Sequence, residues 1–374
     1  MIIDKKRICF YCYSPAKDSG HIKRLIRLSK EIKKNKKYRT FLILNSRYDI
    51  LNKELTAFDS VLFLKSGDNF SKIMDFIDGN KPGIFITEFF PFGRTKAREE
   101  IVPILKILKS KKIPIISALP IPYFTHRENN LNELERDINY YEKIIIFTPP
   151  KDIKYFASSI EFENRIKSET FINFFKKIRK KLHFIGYPID DCDEDIKEEK
   201  NSILVTNGAG SVLKKIIDSS IIAKKELSKD INMTIICGIS VKDKDFERWN
   251  NIIRKFNIKN IKIKKYVKNL IPYIRKNEII ISSAGSTSYE ILRYSKKAIL
   301  IPYEGKPNRE HSDQLARSIM LKELIKADII REKDLTVKTL IKAVNKKLRE
   351  ENTKYLSDYD FNGKENFVKI IKSL

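Results

Sequence analysis

Long apolar runs are missing from this chain. Its apolar stretches, such as Lys143 to Thr148 and Glu278 to Ser282, have the length of strands, and none approaches the roughly 20 residues that a membrane-spanning helix needs. The first residues, MIIDKKRICFYCYS, have no apolar core ahead of a small-residue cleavage site, so no signal peptide and a cytoplasmic location are expected. Cysteine is scarce, with four in 374 residues, which excludes a disulfide scaffold. Cys9 and Cys12 have a C-x-x-C spacing, but no second pair or histidine cluster completes a zinc site, so buried strand thiols and no metal are expected. Acidic residues are outnumbered 48 to 75, for a net charge of +27. That sign suits nucleic acid, an anionic membrane surface or an anionic substrate. No helix-turn-helix, zinc finger or RNP-like aromatic motif accompanies it, and nucleic acid is not an expected partner.

What the chain has in quantity is apolar material, 42% of its residues, enough for two cores and too much for disorder. Short β-rich runs alternate with helix-length amphipathic segments, the mark of α/β units around parallel sheets. The first half offers strands at Arg7 to Tyr13, Arg39 to Asn45, Ser60 to Leu64, Gly83 to Thr87, Ile113 to Ser117 and Lys143 to Phe147. Helical periodicity runs from Ile22 to Lys34 and from Lys96 to Lys109. The acidic stretch DDCDEDIKEEK then interrupts the basic background. Beyond it come strands at Ser202 to Thr206, Met233 to Cys237, Ile261 to Lys264, Ile279 to Ser282 and Ala298 to Pro302. We therefore expect an N-terminal doubly wound domain over 1–188, a linker over 189–200 and a second doubly wound domain over 201–355. A C-terminal helix within 356–374 is expected to pack back on the first. The segment FINFFKKIRKKL puts Phe171, Phe174, Phe175 and Ile178 on one helical face. Such a face can pack on its own domain or lie on an anionic bilayer.

With only 12 glycines, those at strand-to-helix turns are informative. Gly20 and His21 follow the first strand and open a helix, where backbone amides face a ligand at the carboxyl edge of the sheet. Gly208, Gly210 and Ser211 follow SILVT; the turn is neither G-x-G-x-x-G nor a phosphate loop of NTPases, which counts against kinases and ATPases. The densest constellation runs from Ile279 to Leu315. There a strand ends in Ser282-Ser283-Ala284-Gly285-Ser286-Thr287, whose small residues suit phosphate. Glu290 follows one turn later, where a carboxylate can accept both hydroxyls of a ribose. A second strand then leads to His311, Asp313 and Gln314.

The region from Val267 to Leu315, with the run YVKNLIPYIRKNEIIISSAGSTSYEILRYSKKAILIPYEG that opens at Tyr266, resembles the donor-binding half of GT-B glycosyltransferases of the MurG type, and the family 28 C-terminal domain more broadly. SGHIKRLIRLSKEI resembles that family's glycine-histidine loop and first helix, and TEFFPFGRTKAREEIVPIL resembles a block of related bacterial and archaeal glycosyltransferases. The resemblance implies a GT-B fold, two Rossmann-like domains facing across a cleft, with no bound metal and no cofactor. It implies that the backbone of Val267 reads the base, that Ala284, Gly285, Ser286 and Thr287 lie near the phosphates with Gly208 to Ser211, and that Glu290 binds the ribose. Gln314 would contact the donor sugar, and His21 would lie near acceptor and leaving group. The N-terminal loop carries one glycine before its histidine where the family has a cluster, and no usual MurG acceptor motif is present.

The expected reaction is inverting transfer of a hexose or N-acetylhexosamine from a nucleotide diphosphate sugar, UDP-linked by resemblance, to a hydroxyl of a glycan, lipid-linked or small-molecule acceptor. It needs a base for the hydroxyl proton and a dipolar or cationic site for the departing diphosphate. The candidates for the base are His21, which titrates near neutrality, and Glu88, at a sheet edge. Arg94 and Lys96 could hold an anionic part of the acceptor, or be solvated charges; His126 and His183 are expected to be structural. A nucleotide-sugar hydrolase, a 2-epimerase and a non-catalytic nucleotide-binding protein remain open. Peripheral contact with the inner membrane face is compatible with the basic surface.

Overall fold

In the computed structural model, residues 4–14, 19–46, 54–64, 69–162, 166–190, 192, 194–208, 213–303, 313–351 and 359–374 are described. The chain forms two compact units, one of Met1–Asp190 with Tyr359–Leu374, the other of Asp191–Asp358.

The first unit is built on seven strands: β1 (Arg7–Ser14), β2 (Arg39–Ser46), β3 (Ser60–Leu64), β4 (Ile84–Glu88), β5 (Ile115–Leu119), β6 (Lys143–Ile146) and β7 (Leu182–Phe184). All pair in parallel, in the order β3-β2-β1-β4-β5-β6-β7. Helices cover both faces, which is why the central strands read as unbroken apolar runs: Ile8 to Cys12, Ile84 to Ile86 and Ile144 to Ile146 are all buried. The thiols of Cys9 and Cys12 are part of this interior and form no disulfide, and burial pushes the Cys9 thiol up.

The second unit repeats the plan with β8 (Glu199–Thr206), β9 (Asn232–Ile236), β10 (Ile261–Lys264), β11 (Asn277–Ser282), β12 (Lys297–Leu300) and β13 (Asp328–Ile329). Its order is β10-β9-β8-β11-β12-β13, again all parallel. In both sheets the winding reverses direction beside the first strand, between β1 and β4 and between β8 and β11. A crevice forms at such a reversal, at the carboxyl ends of the strands, and it is the usual ligand site of doubly wound sheets.

One element differs from the sequence expectation. The helix that starts at Ser168 stops at Lys177, and the continuation expected to Leu182 is a short 3-10 turn, Arg179–Lys181, followed by β7. The apolar face of this helix is not presented to a bilayer: Phe171, Phe174 and Phe175 are buried against Phe92 and Phe124 in a cluster of five rings. Aromatic packing inside the first unit takes the three phenylalanines of the stripe, while Ile178, half-buried, lies past the helix end. The last helix, Gly363–Lys372, packs in the first unit against the helix Ser19–Lys33. Its approach is fixed by backbone bonds from Tyr187 N to Asp360 O and from Gly363 N to Tyr187 O.

Candidate active site

The sheet of the first unit brings together two residues 67 positions apart. His21 stands in the first turn of the helix Ser19–Lys33, which follows β1, and Glu88 is the last residue of β4. Because β1 and β4 are neighbours, with Tyr11 opposite Thr87, both residues come to one edge of the sheet at its reversal. There His21 Nδ1 lies 2.6 Å from Glu88 Oε1. Arg24, one turn along the helix from His21, reaches the same oxygen at 2.5 Å.

The segment after β4 is held at almost every residue. Phe89 N donates to Ala118 O, Gly93 N to Phe89 O and Thr125 N to Phe92 O, while the hydroxyls of Thr87 and Ser117 both donate to Phe90 O. Phe89 and Arg94 are left-handed, at φ of 64° and 61°, a conformation that L side chains adopt at a cost and that a tightly bonded loop can impose. The loop delivers Arg94, whose Nη2 lies 2.6 Å from His21 Nε2. The described geometry thus joins three of the four residues singled out in this region. Lys96, the fourth, is exposed in the turn Thr95–Ala97.

The bonding assigns the state of the imidazole. A guanidinium has donors only, so His21 Nε2 faces Arg94 with its lone pair, and Nδ1 carries the hydrogen that is donated to Glu88. The unprotonated ring is thus oriented by a carboxylate, with Nε2 as its basic atom. Glu88 is buried, with 1% of its surface exposed. Burial alone would raise its pKa, but the charge and hydrogen bond of His21 and the charges of Arg24 and Arg94 outweigh it and hold the carboxyl below the usual glutamate range. Its Oε2 is buried without a hydrogen-bond partner among the described residues.

In the second unit the turns after β8 and β11 are neighbours, since Thr206 pairs with Ser282. Gly208 has a φ of 53°, and the side chain nearest to its Cα substituent position is that of Ser283, with Oγ 3.9 Å away. Gly210 and Ser211, and also His311, lie outside the described residues. Ala284 is buried and left-handed at φ 56°, Gly285 has open space where a Cβ would stand, and Ser286 precedes the helix Thr287–Arg293. Thr287 and Glu290 belong to that helix and are both largely buried. Val267 lies in the loop after β10, two strands from β8. Gln314 opens the helix Gln314–Ile325, and its Oε1 accepts from Tyr303 N at 2.8 Å, so that oxygen serves the local backbone.

Two arginines that the sequence did not single out organise these sites. Arg24 is buried on Glu88; its signal was the spacing of three from His21, which puts both on one helix face. Arg317 is buried, grips Asp313 through Nη1 at 2.9 Å and Nη2 at 2.5 Å, and donates from Nε to Tyr289 OH at 3.1 Å. It ties the helix that carries Glu290 to the start of the one that carries Gln314, and the Asp313 to Arg317 spacing of four was legible. His126 is buried beside Phe124, and His183 is half-buried in β7, its pKa lowered by burial and then by Lys143. Among the described residues no group of three or more His, Cys, Asp or Glu could hold a metal ion, and no helix is long and apolar enough to cross a membrane.

Residues 202–374 match the model of the glycosyltransferase family 28 C-terminal domain. The UDP-N-acetylglucosamine--N-acetylmuramyl-(pentapeptide) pyrophosphoryl-undecaprenol N-acetylglucosamine transferase of Sulfurihydrogenibium sp. (strain YO3AOP1) is 27% identical over 252 residues, 64% of this chain and 62% of that protein. The chain therefore spans less than two thirds of that relative. The crystal structure of MurG from Acinetobacter baumannii superposes with a TM-score of 0.63 at 14% identity, covering 98% of this chain and 99% of the other. The UDP-GlcNAc 2-epimerase of Methanocaldococcus jannaschii gives a TM-score of 0.56 at 13% identity, covering 98% and 100%. These two likenesses are of fold alone.

Proposed function

We propose that this chain, by its family 28 domain, its relatives and its fold a MurG-type GT-B glycosyltransferase, is an inverting, metal-independent enzyme. It moves a hexose or N-acetylhexosamine from a UDP-linked donor to an acceptor hydroxyl in glycan or glycolipid synthesis. The observation that carries this reading is the imidazole of His21, oriented through Nδ1 by the buried carboxylate of Glu88 and basic at Nε2.

In this reading Nε2 takes the proton of the acceptor hydroxyl as its oxygen attacks the anomeric carbon. The bond from that carbon to the diphosphate breaks with inversion, and the nucleoside diphosphate leaves with the electron pair. Glu88 does not take the proton. It holds the ring in one tautomer and stabilises the imidazolium, the role of a carboxylate behind a histidine base. Of the two candidates for the base, this reading gives the proton to His21 and the supporting role to Glu88. In the second unit, Glu290 would hold the ribose hydroxyls and the turns around Gly208 and Gly285 the diphosphate, with the backbone of Val267 at the base and Gln314 at the donor sugar. The net charge of +27 supports an acceptor presented at an anionic membrane face, with the chain peripheral to it on the cytoplasmic side.

A thermal-shift screen with UDP, GDP, CDP, dTDP, CMP and NAD tests the donor class, because a ligand that binds only the folded state raises Tm. We expect UDP to stabilise, and His21→Gln to keep that stabilisation while sugar transfer from UDP-sugar falls by roughly 10²- to 10⁴-fold. No response to any nucleoside diphosphate would overturn the reading. UDP release with water as the only acceptor would assign a hydrolase.

A further inference from the structure

The basic atom of His21 is covered by a cation. Arg94 Nη2 stands 2.6 Å from Nε2, and a guanidinium keeps its charge under all ordinary conditions, so the lone pair that must receive a proton is already committed. The ring is oriented for proton transfer by Glu88 and blocked by Arg94.

The two arginines beside Glu88 differ in exposure. Arg24 is buried and fixed on Oε1, whereas Arg94 is half-buried. The backbone that carries Arg94 is pinned by the bonds of Phe89, Phe90, Phe92 and Gly93, and Arg94 O accepts from Ala97 N at 2.8 Å. Exposing Nε2 therefore requires a rotation of the Arg94 side chain and no movement of the loop. A neutral hydroxyl offers the guanidinium nothing better than the imidazole it leaves. An oxyanion does, because it meets the guanidinium with opposite charge and can accept from both arms of its fork, where the imidazole offers one lone pair. The local charge favours this exchange: two guanidiniums face one carboxylate.

We infer that Arg94 is a latch on the base, opened by a phosphate-class oxyanion that draws its guanidinium from His21 Nε2 and leaves the nitrogen to the acceptor hydroxyl. The inference rests on the reading of His21 as the base. It makes proton abstraction conditional on a bound anion; where that anion belongs to the acceptor, a UDP-sugar is protected from attack by water while the acceptor is away. The anion could come from the acceptor or from the donor's diphosphate.

The latch is read directly on the imidazole. Protein labelled with ¹⁵N-histidine has four side chains to observe, and His21 is assigned by its loss in His21→Gln. We expect its Nε2 resonance to move saturably on addition of inorganic pyrophosphate. The response should be lost in Arg94→Asn, a residue tolerant of left-handed backbone, and in Arg94→Met as a second variant. In both, the ligand-free resonance should already lie near the position of the anion-bound wild type. A response to pyrophosphate under saturating UDP supports an acceptor-side anion, and one to UDP with nothing added by pyrophosphate supports the donor's diphosphate. No movement with either, or the same movement in the Arg94 variants, overturns the latch. If His21→Gln instead retains full sugar transfer, the base reading itself fails, whatever the resonance does.

Discussion

Arg24 and Glu88 form an ion pair inside the first unit, with Nη1 2.5 Å from Oε1, the Glu88 side chain fully buried and that of Arg24 9% exposed. His21 shares that oxygen from its own side. A buried pair of this kind contributes little net stability over an apolar replacement, but removal of one partner leaves the other uncompensated. The pair is therefore a constraint on geometry, and its loss should be visible both in stability and in its pH dependence.

The carboxyl of Glu88 is held below the ordinary value of 4.5 because the charges of His21, Arg24 and Arg94 outweigh the effect of burial. A depressed acid stabilises the fold fully above its unfolded pKa and loses that contribution as pH falls through the folded one. Glu88→Gln should thus flatten the acid limb of stability below about pH 4.5 and cost about 3 to 5 kcal/mol near neutrality. Urea midpoints from pH 3 to 7 measure both. A variant that follows the wild-type curve would contradict the buried pair.

Asp152 should behave in the opposite sense. Burial pushes its carboxyl from 3.8 up to about 6, against the lowering effect of hydrogen bonds from Tyr187 and Tyr359 and of the charges on Lys151 and Lys154. A raised acid holds its proton better when folded, so the contribution of Asp152 to stability is greatest below 3.8, declines as pH rises to about 6, and stays reduced above it. The difference is about 3 kcal/mol. Asp152→Asn keeps an acceptor for the phenols and should abolish the decline, so its Tm at pH 7.5 should exceed that of the wild type. Equal pH profiles would show that Asp152 does not titrate in this range.

Gly93 tests how far the loop after β4 depends on shape. A Cβ there would stand 2.3 Å from Phe89 Cε1 and 2.7 Å from Cδ1. The Phe89 ring is mostly buried and lies 6.0 Å from the His21 ring, centroid to centroid. It can yield only by pressing on the site. Gly93→Ala should cost about 1 to 3 kcal/mol and disturb the His21 resonances, both measurable on one sample. An alanine variant with wild-type stability and an unchanged His21 spectrum would mean the ring gives way freely.

What was legible in the sequence follows from where each signal comes from. β1, β4 and β6 are buried on both faces, so their own residues announce them. β7 and β13, three and two residues long at the sheet edges, gain their identity from a neighbouring strand, and Leu182–Phe184 carries too few residues to break a helical pattern. His21 and Glu88 were legible singly, as residues at strand ends; their bond was not, because it depends on β1 and β4 being adjacent in space. Arg24 looked like any basic residue of IKRLIRLSKEI. Composition treats each Lys and Arg alike, and only the packing of the helix onto the sheet decides which one turns inward.

Glu290 carries the most direct test of the second unit. It is 7% exposed in the helix Thr287–Arg293, which follows the turn after β11 at the reversal of the sheet. A carboxylate that accepts two ribose hydroxyls contributes two hydrogen bonds to a charged group, so Glu290→Ala should weaken UDP binding by roughly 1 to 3 kcal/mol, or about 5- to 150-fold in Kd. Calorimetry with UDP measures this, and 2′-deoxyuridine diphosphate turns it into a cycle. The deoxy ligand should bind the wild type more weakly than UDP does, while the alanine variant should scarcely distinguish the two, because the group that reads the 2′-hydroxyl is gone. Unchanged affinity for UDP would remove Glu290 from the ribose. If instead the variant still discriminates between the two ligands as the wild type does, the 2′-hydroxyl is read by another residue.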